Sequence, residues 1–122
     1  MAFVVFDRKG APATSSPWVT VQKRGTFGLN KGAVEAMGSP EAVELLYDAD
    51  ARRVGFRSTD PEALNAYPLR KQPASHSYVL AGRAFTRTYQ INTTESRRYD
   101  AKMLDGILVI DLGKPDRVVS RG

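Results

Sequence analysis

With 122 residues and no cysteine, the chain has room for one domain and one core, and it can form no disulfide, thiolate metal site or catalytic thiol. Lys and Arg number 18 against 13 Asp and Glu, giving a net charge of +5 and a pI of about 9.7, a balance that favours anionic partners but says nothing about fold. The apolar run at 3–6 meets charge at once and that at 106–110 is far too short to span a bilayer, so the reading is a cytoplasmic protein with no membrane partner.

In chain order, Phe3-Val4-Val5-Phe6 predicts a short strand and the proline-bearing stretch 10–17 a loop. Val19 and Val21 alternate with Thr20 and Gln22, the period of a half-buried strand over 18–23. Arg24-Gly25 breaks it at a turn or bulge, and Phe27 and Leu29 resume the alternation. Asn30 suits a helix N-cap. Residues 31–37 then form a short helix with Ala33, Val34 and Met37 on one face, ended by Gly38 in the left-handed region and by Pro40. Val43, Leu45 and Tyr47 alternate, Asp48-Ala49-Asp50-Ala51 supplies turn residues, and 53–57 returns with Val54 and Phe56 inward, which makes a hairpin. Residues 58–77 carry Pro61, Pro68 and Pro73 and no sustained period; they read as a connector with one helical turn near 62–65.

The second half repeats this order. Residues 78–80 form a short strand and 82–89 a helix with Ala84, Phe85, Thr88 and Tyr89 inward, ended by Ile91-Asn92. Tyr99, Ala101 and Met103 share one face of a strand, Asp105-Gly106 makes a tight turn, and 107–112 returns. Five apolar residues in that last run of six predict burial on both faces. The tail from Gly113 reads as polar and frayed. The expected core is Val21, Phe27, Leu29, Val34, Met37, Val43, Leu45, Phe56, Phe85, Tyr99, Ile107 and Val109. Leu29-Asn30-Lys31-Gly32-Ala33-Val34 also lies against Leu80-Ala81-Gly82-Arg83-Ala84-Phe85. Coincidence of a common motif and a true duplication both fit; a duplication would make the chain an intramolecular pseudo-dimer with one core.

The stretch Val19-Thr20-Val21-Gln22-Lys23-Arg24-Gly25-Thr26-Phe27-Gly28-Leu29-Asn30, the short helix ending Met37-Gly38 and the hairpin from Val43 to Phe56 together resemble the AbrB-type swapped-hairpin domain. The match covers about forty residues and returns weakly in the second half. Leu29-Asn30 stands where that family carries an apolar residue and proline. The pattern is also similar to small phage and actinobacterial proteins, which adds no mechanism. The family resemblance implies hairpins interleaved in a homo-oligomer and DNA binding through basic residues in transcription regulation. The expected fold class is therefore α+β, mainly β: a single domain 1–122 with strand–short helix–hairpin units at 17–57 and 78–112 and a connector at 58–77, as a swapped-hairpin AbrB-like or pseudo-duplicated barrel.

His76 is the only histidine and lies in a polar stretch. Glu41, Glu44, Asp48, Asp50, Asp60 and Glu62 are scattered as turn and surface carboxylates are. No phosphate loop, dinucleotide fingerprint or metal-ligand spacing is present. The residues thus point to no enzyme, catalytic group, metal or cofactor. Basic residues come in pairs at strand ends or in loops: Lys23-Arg24, Arg52-Arg53, Arg70-Lys71 and Arg97-Arg98, with Lys31, Arg83 and Arg87 on the helices. Such pairs neutralise neighbouring phosphates, and arginine also reads guanine edges; they equally serve solubility and protect sheet edges. Trp18, Tyr47, Tyr78, Tyr89 and Tyr99 have rings that stack on bases, but at strand spacing they read as core. The leading expectation is a DNA-binding regulatory protein that contacts phosphates through Lys23, Arg24, Arg52, Arg53, Arg97 and Arg98, with the last two pairs at equivalent ends of twofold-related hairpins. The alternatives are an oligomeric accessory protein without nucleic-acid contact and a binder of a small anionic ligand between the halves.

Overall fold

The computed structural model describes residues 16–72 and 77–114, together with the backbone of 117–119. The expected strand at 3–6 and His76 lie outside the described residues. The rest is mainly β, with two short helices and a nearly closed, barrel-like sheet.

β1 (Trp18–Val21) ends where the Gln22 N–H donates to the Thr26 carbonyl at 2.8 Å. This closes a 3-10 turn over Lys23–Gly25, in which Arg24 and Gly25 take φ of 72° and 90°. β2 (Thr26–Leu29) returns and leads into α1 (Lys31–Ala36). Asn30 caps that helix: its Oδ1 accepts the Ala33 N–H at 2.9 Å. The same oxygen accepts the Trp18 N–H at 3.0 Å, and Nδ2 donates to the Ser16 carbonyl at 2.7 Å, so one side chain ties the helix start to the head of β1. Gly38, at φ 84°, ends the helix as expected.

β3 (Ala42–Asp48) and β4 (Arg53–Thr59) form the first hairpin. β5 (Tyr67–Pro68), β6 (Arg70–Lys71) and β7 (Tyr78–Ala81) precede α2 (Arg83–Thr88), and β8 (Ser96–Leu104), β9 (Ile107–Asp111) and β10 (Arg117–Val119) complete the chain. The sheet order is β5-β3-β4-β9-β8-β1-β2-β7-β6, antiparallel throughout, with β10 also on β8. Asp105 and Gly106, at φ 52° and 80°, make the tight turn between β8 and β9.

The connector is not structureless. Within residues 67–71, β5 pairs with β3 and β6 with β7, so this one segment draws the two ends of the sheet together. The Leu69 N–H adds a bond to the Glu41 carbonyl at 3.0 Å. Two-residue strands around a proline leave no period to read. The tail is likewise not simply frayed, because β10 lies along the first residues of β8.

Val21, Phe27, Leu29, Val34, Met37, Val43, Phe56, Phe85 and Tyr99 are buried, and Leu45 packs half-buried against them. β9 is not buried on both faces as expected, and its core side is the reverse of that expected. Leu108 and Ile110 face the core, whereas Ile107 and Val109 lie half-exposed on the outer wall. The register decides this: Leu108 pairs with the inward Phe56, and Val109 with Gly55. A Cβ on Gly55 would come within 2.7 Å of the Ile107 Cγ2, so the glycine leaves Ile107 room to lie across the outer wall. α2 also differs from expectation. It turns Phe85 and Thr86 inward, leaving Ala84 and Thr88 exposed and Tyr89 45% exposed, because the Thr86 side of this six-residue helix abuts the Lys23–Gly25 turn. Met103, expected inward, is exposed near the tip of the second hairpin.

Candidate nucleic-acid interface

Strand alternation splits one basic pair. Tyr99 and Ala101 are buried on the inner face of β8, so Arg97 lies on that face, at the end of the barrel, and Arg98 lies on the outer wall. The contacts agree. Arg97 hydrogen-bonds the Tyr99 hydroxyl, and the Arg98 guanidinium sits 4.5 Å from the centroid of the Trp18 ring. Burial pushes the Tyr99 hydroxyl above its ordinary pKa, and the charges of Arg97 and then Arg52 pull it the other way. Arg97 bonds this hydroxyl, and the charge of Arg52 acts on it through space, although 45 positions separate the two arginines in the chain (97 − 52).

Pairing explains the meeting. β4 lies on β9 with Arg53 opposite Asp111, and β9 lies on β8, which carries the tip of the first hairpin to the start of β8. Arg52, at φ 55°, is held there by the Leu112 N–H, which donates to its carbonyl at 2.9 Å. Lys23 joins from the turn after β1: its backbone N–H donates to the buried Ser96 Oγ at 3.0 Å, and its side chain and that of Arg24 are exposed. α2 packs behind the same turn, with the exposed Arg83 and Arg87 on it. Lys23, Arg24, Arg52, Arg83, Arg87 and Arg97 therefore collect at one end of the barrel. Within this set Arg97 is ion-paired with Glu95, 3.5 Å away and itself half-exposed, a pair of small worth, and the exposed Asp48 and Asp50 share the hairpin tip with Arg52.

Arg53 and Arg98 do not join them. Val54 and Phe56 face inward, so Arg53 faces outward into an open groove with Asp100, Lys102, Asp111 and Lys114. The expected symmetry also fails. Arg52-Arg53 occupies a hairpin tip and Arg97-Arg98 a hairpin start, so the two pairs are not equivalent positions; they approach because the two hairpins run antiparallel across β4 and β9.

A ring stack flanks the cations. Tyr47, near the end of β3, stacks on Tyr89 with centroids 4.5 Å apart and planes at 30°, and both rings pack edge-on against Phe85. Reading Tyr89 as core missed this. Tyr89 directly follows the last residue of α2, where a helix face runs out, and that position was the available signal. The spacing of Arg83 and Arg87, four residues apart on one helix face, was the signal for adding them to the basic set.

Among the described residues no group of histidine, cysteine and carboxylate side chains is placed to hold a metal ion, and no helix is long and apolar enough to cross a membrane. No family model, curated protein or solved structure matches the chain.

Proposed function

We propose that the protein binds DNA through phosphate contacts at the basic end of the barrel, as a regulator of the AbrB kind folded from one chain. The observation that carries this reading is the convergence of Lys23, Arg24, Arg52 and Arg97, from three separate parts of the chain, beside Arg83 and Arg87. Like charges drawn together cost stability unless an anion occupies the surface. Arg53 and Arg98 are secondary contacts in this reading: Asp111 and Asp100 share the outer wall with them. The duplicated-barrel reading is supported by reciprocal pairing, in which the first half supplies β1, β2 and β4 and the second answers with β8, β7 and β9. Each of those edges finds its partner within one chain, which favours the one-chain barrel in this reading.

The test is a salt titration of binding to a labelled duplex. Log K is expected to fall steeply and linearly with log salt. Lys23→Gln with Arg24→Gln should flatten the slope by about two units, and Arg53→Gln, a secondary contact shared with Asp111, by less than about one. If the wild-type protein binds no DNA at low ionic strength, the reading is wrong and the charge serves solubility or an acidic partner.

A further inference from the structure

We infer that the Tyr47–Tyr89 stack is a platform for an unpaired nucleobase, so that this end of the barrel prefers DNA with a single-stranded segment to fully paired duplex; the inference rests on the nucleic-acid reading above. An unbroken series of rings runs from the core to the surface. Phe56 meets Phe27 at 5.4 Å, Phe27 meets Phe85 at 6.1 Å, Phe85 meets Tyr89 at 5.0 Å, and Tyr89 stacks on Tyr47 at 4.5 Å. Phe56 and Phe27 are fully buried, and exposure rises outward to 45% at Tyr89. The outermost ring is therefore fixed from behind before any ligand arrives, and a base laid on it immobilises little that was mobile.

Two components define a sequence-tolerant single-strand site: cations that follow the backbone and an aromatic face for the base. Both are present. Arg87 lies two residues before Tyr89 in the last turn of α2, Arg83 one turn earlier, and the turn bearing Lys23 and Arg24 packs against the same helix. A groove lined by Leu45, Leu64, Asn65, Tyr67 and Phe85 opens beside the stack and gives the strand a path, with the Asn65 amide available to a base edge. The cations come from non-equivalent positions of the two halves, so they do not present a twofold surface to a duplex dyad. A polar strand entering from one side has no such requirement.

Anisotropy titrations at matched salt, with labelled oligothymidylate and a blunt-ended, fully paired duplex, test the inference. Wild type should bind the single strand about tenfold more tightly. Tyr89→Ala should weaken single-strand binding by about five- to 100-fold, with duplex affinity and both salt slopes unchanged. Tyr89→Phe should stay within about twofold of wild type, which separates loss of the ring from loss of the hydroxyl. A thermal melt of each variant checks that α2 stays docked, and Tyr89→Leu is the second variant should alanine loosen it. Equal affinity of wild type for both DNAs, or a Tyr89→Ala protein that binds the single strand as wild type does, overturns the inference and leaves phosphate binding standing. Absence of binding to either DNA overturns both.

Discussion

Replacing Phe27 by alanine should cost about 3–5 kcal/mol of folding stability. The ring is fully buried and sits between two others, with Phe56 edge-on at 5.4 Å and Phe85 at 6.1 Å. It also fills the space over Gly82, where an added Cβ would collide with the ring itself. Removing it empties the junction at which the first half, the second half and α2 all meet, and a hole bounded by fixed strands does not collapse readily. Small domains hold about 5–15 kcal/mol in total, so the variant should be close to unfolding at physiological temperature. Urea denaturation followed by circular dichroism measures the loss. Phe27→Leu, which keeps most of the volume, should lose much less. A cost below about 1 kcal/mol for the alanine variant would mean that the ring series does not hold the barrel together.

Gly25→Ala should be nearly as damaging, for a different reason. The residue has φ of 90°, where an L side chain costs about 1–2 kcal/mol. Its Cβ would also run into the Thr86 hydroxyl and stand 2.9 Å from the Arg83 Cα. A hydroxyl can rotate aside, but a helix backbone atom cannot, so α2 must move off the turn, at about 1–3 kcal/mol more. Gly38→Ala is the internal control. Its φ is similar, at 84°, and nothing lies within 4 Å of the new carbon, so it should pay for conformation alone. The difference between the two unfolding free energies isolates the turn–helix contact. The same Gly25→Ala protein should lose its preference for single-stranded DNA, because the move carries Tyr89 away from Tyr47. Equal losses at the two glycines would show that α2 yields without cost.

Elements with local chemistry were legible from residues alone: the Asn30 cap, the Gly38 stop and the Asp105-Gly106 turn all sit where their side chains and backbone freedom require. β9 was not, since Ile107-Leu108-Val109-Ile110 has no polar residue to show its phase. Only its pairing with β4, some fifty positions away, orients it. The segment 67–71 is too short to carry a pattern and exists as strand because β3 and β7 offer it edges. The basic pairs were legible as pairs. Which member of Arg97-Arg98 turns inward follows from strand phase, but the meeting of Arg97 with Arg52 depends on two successive ladders that no local signal announces.

The interleaving of the halves governs how the chain must assemble. β1 waits for β8, β2 for β7, β3 for β5 and β4 for β9, so on a ribosome the first half emerges with four strand edges and no partner for any of them. Closing such distant pairs is slow, and the exposed edges are open to wrong partners until β9 arrives. A chain cut in the loop at 60–66, between β4 and β5, would leave two pieces neither of which owns a complete sheet. Those pieces would fold only on meeting, and the rate would rise with the concentration of both: the unimolecular folding of the intact protein would become a second-order reaction.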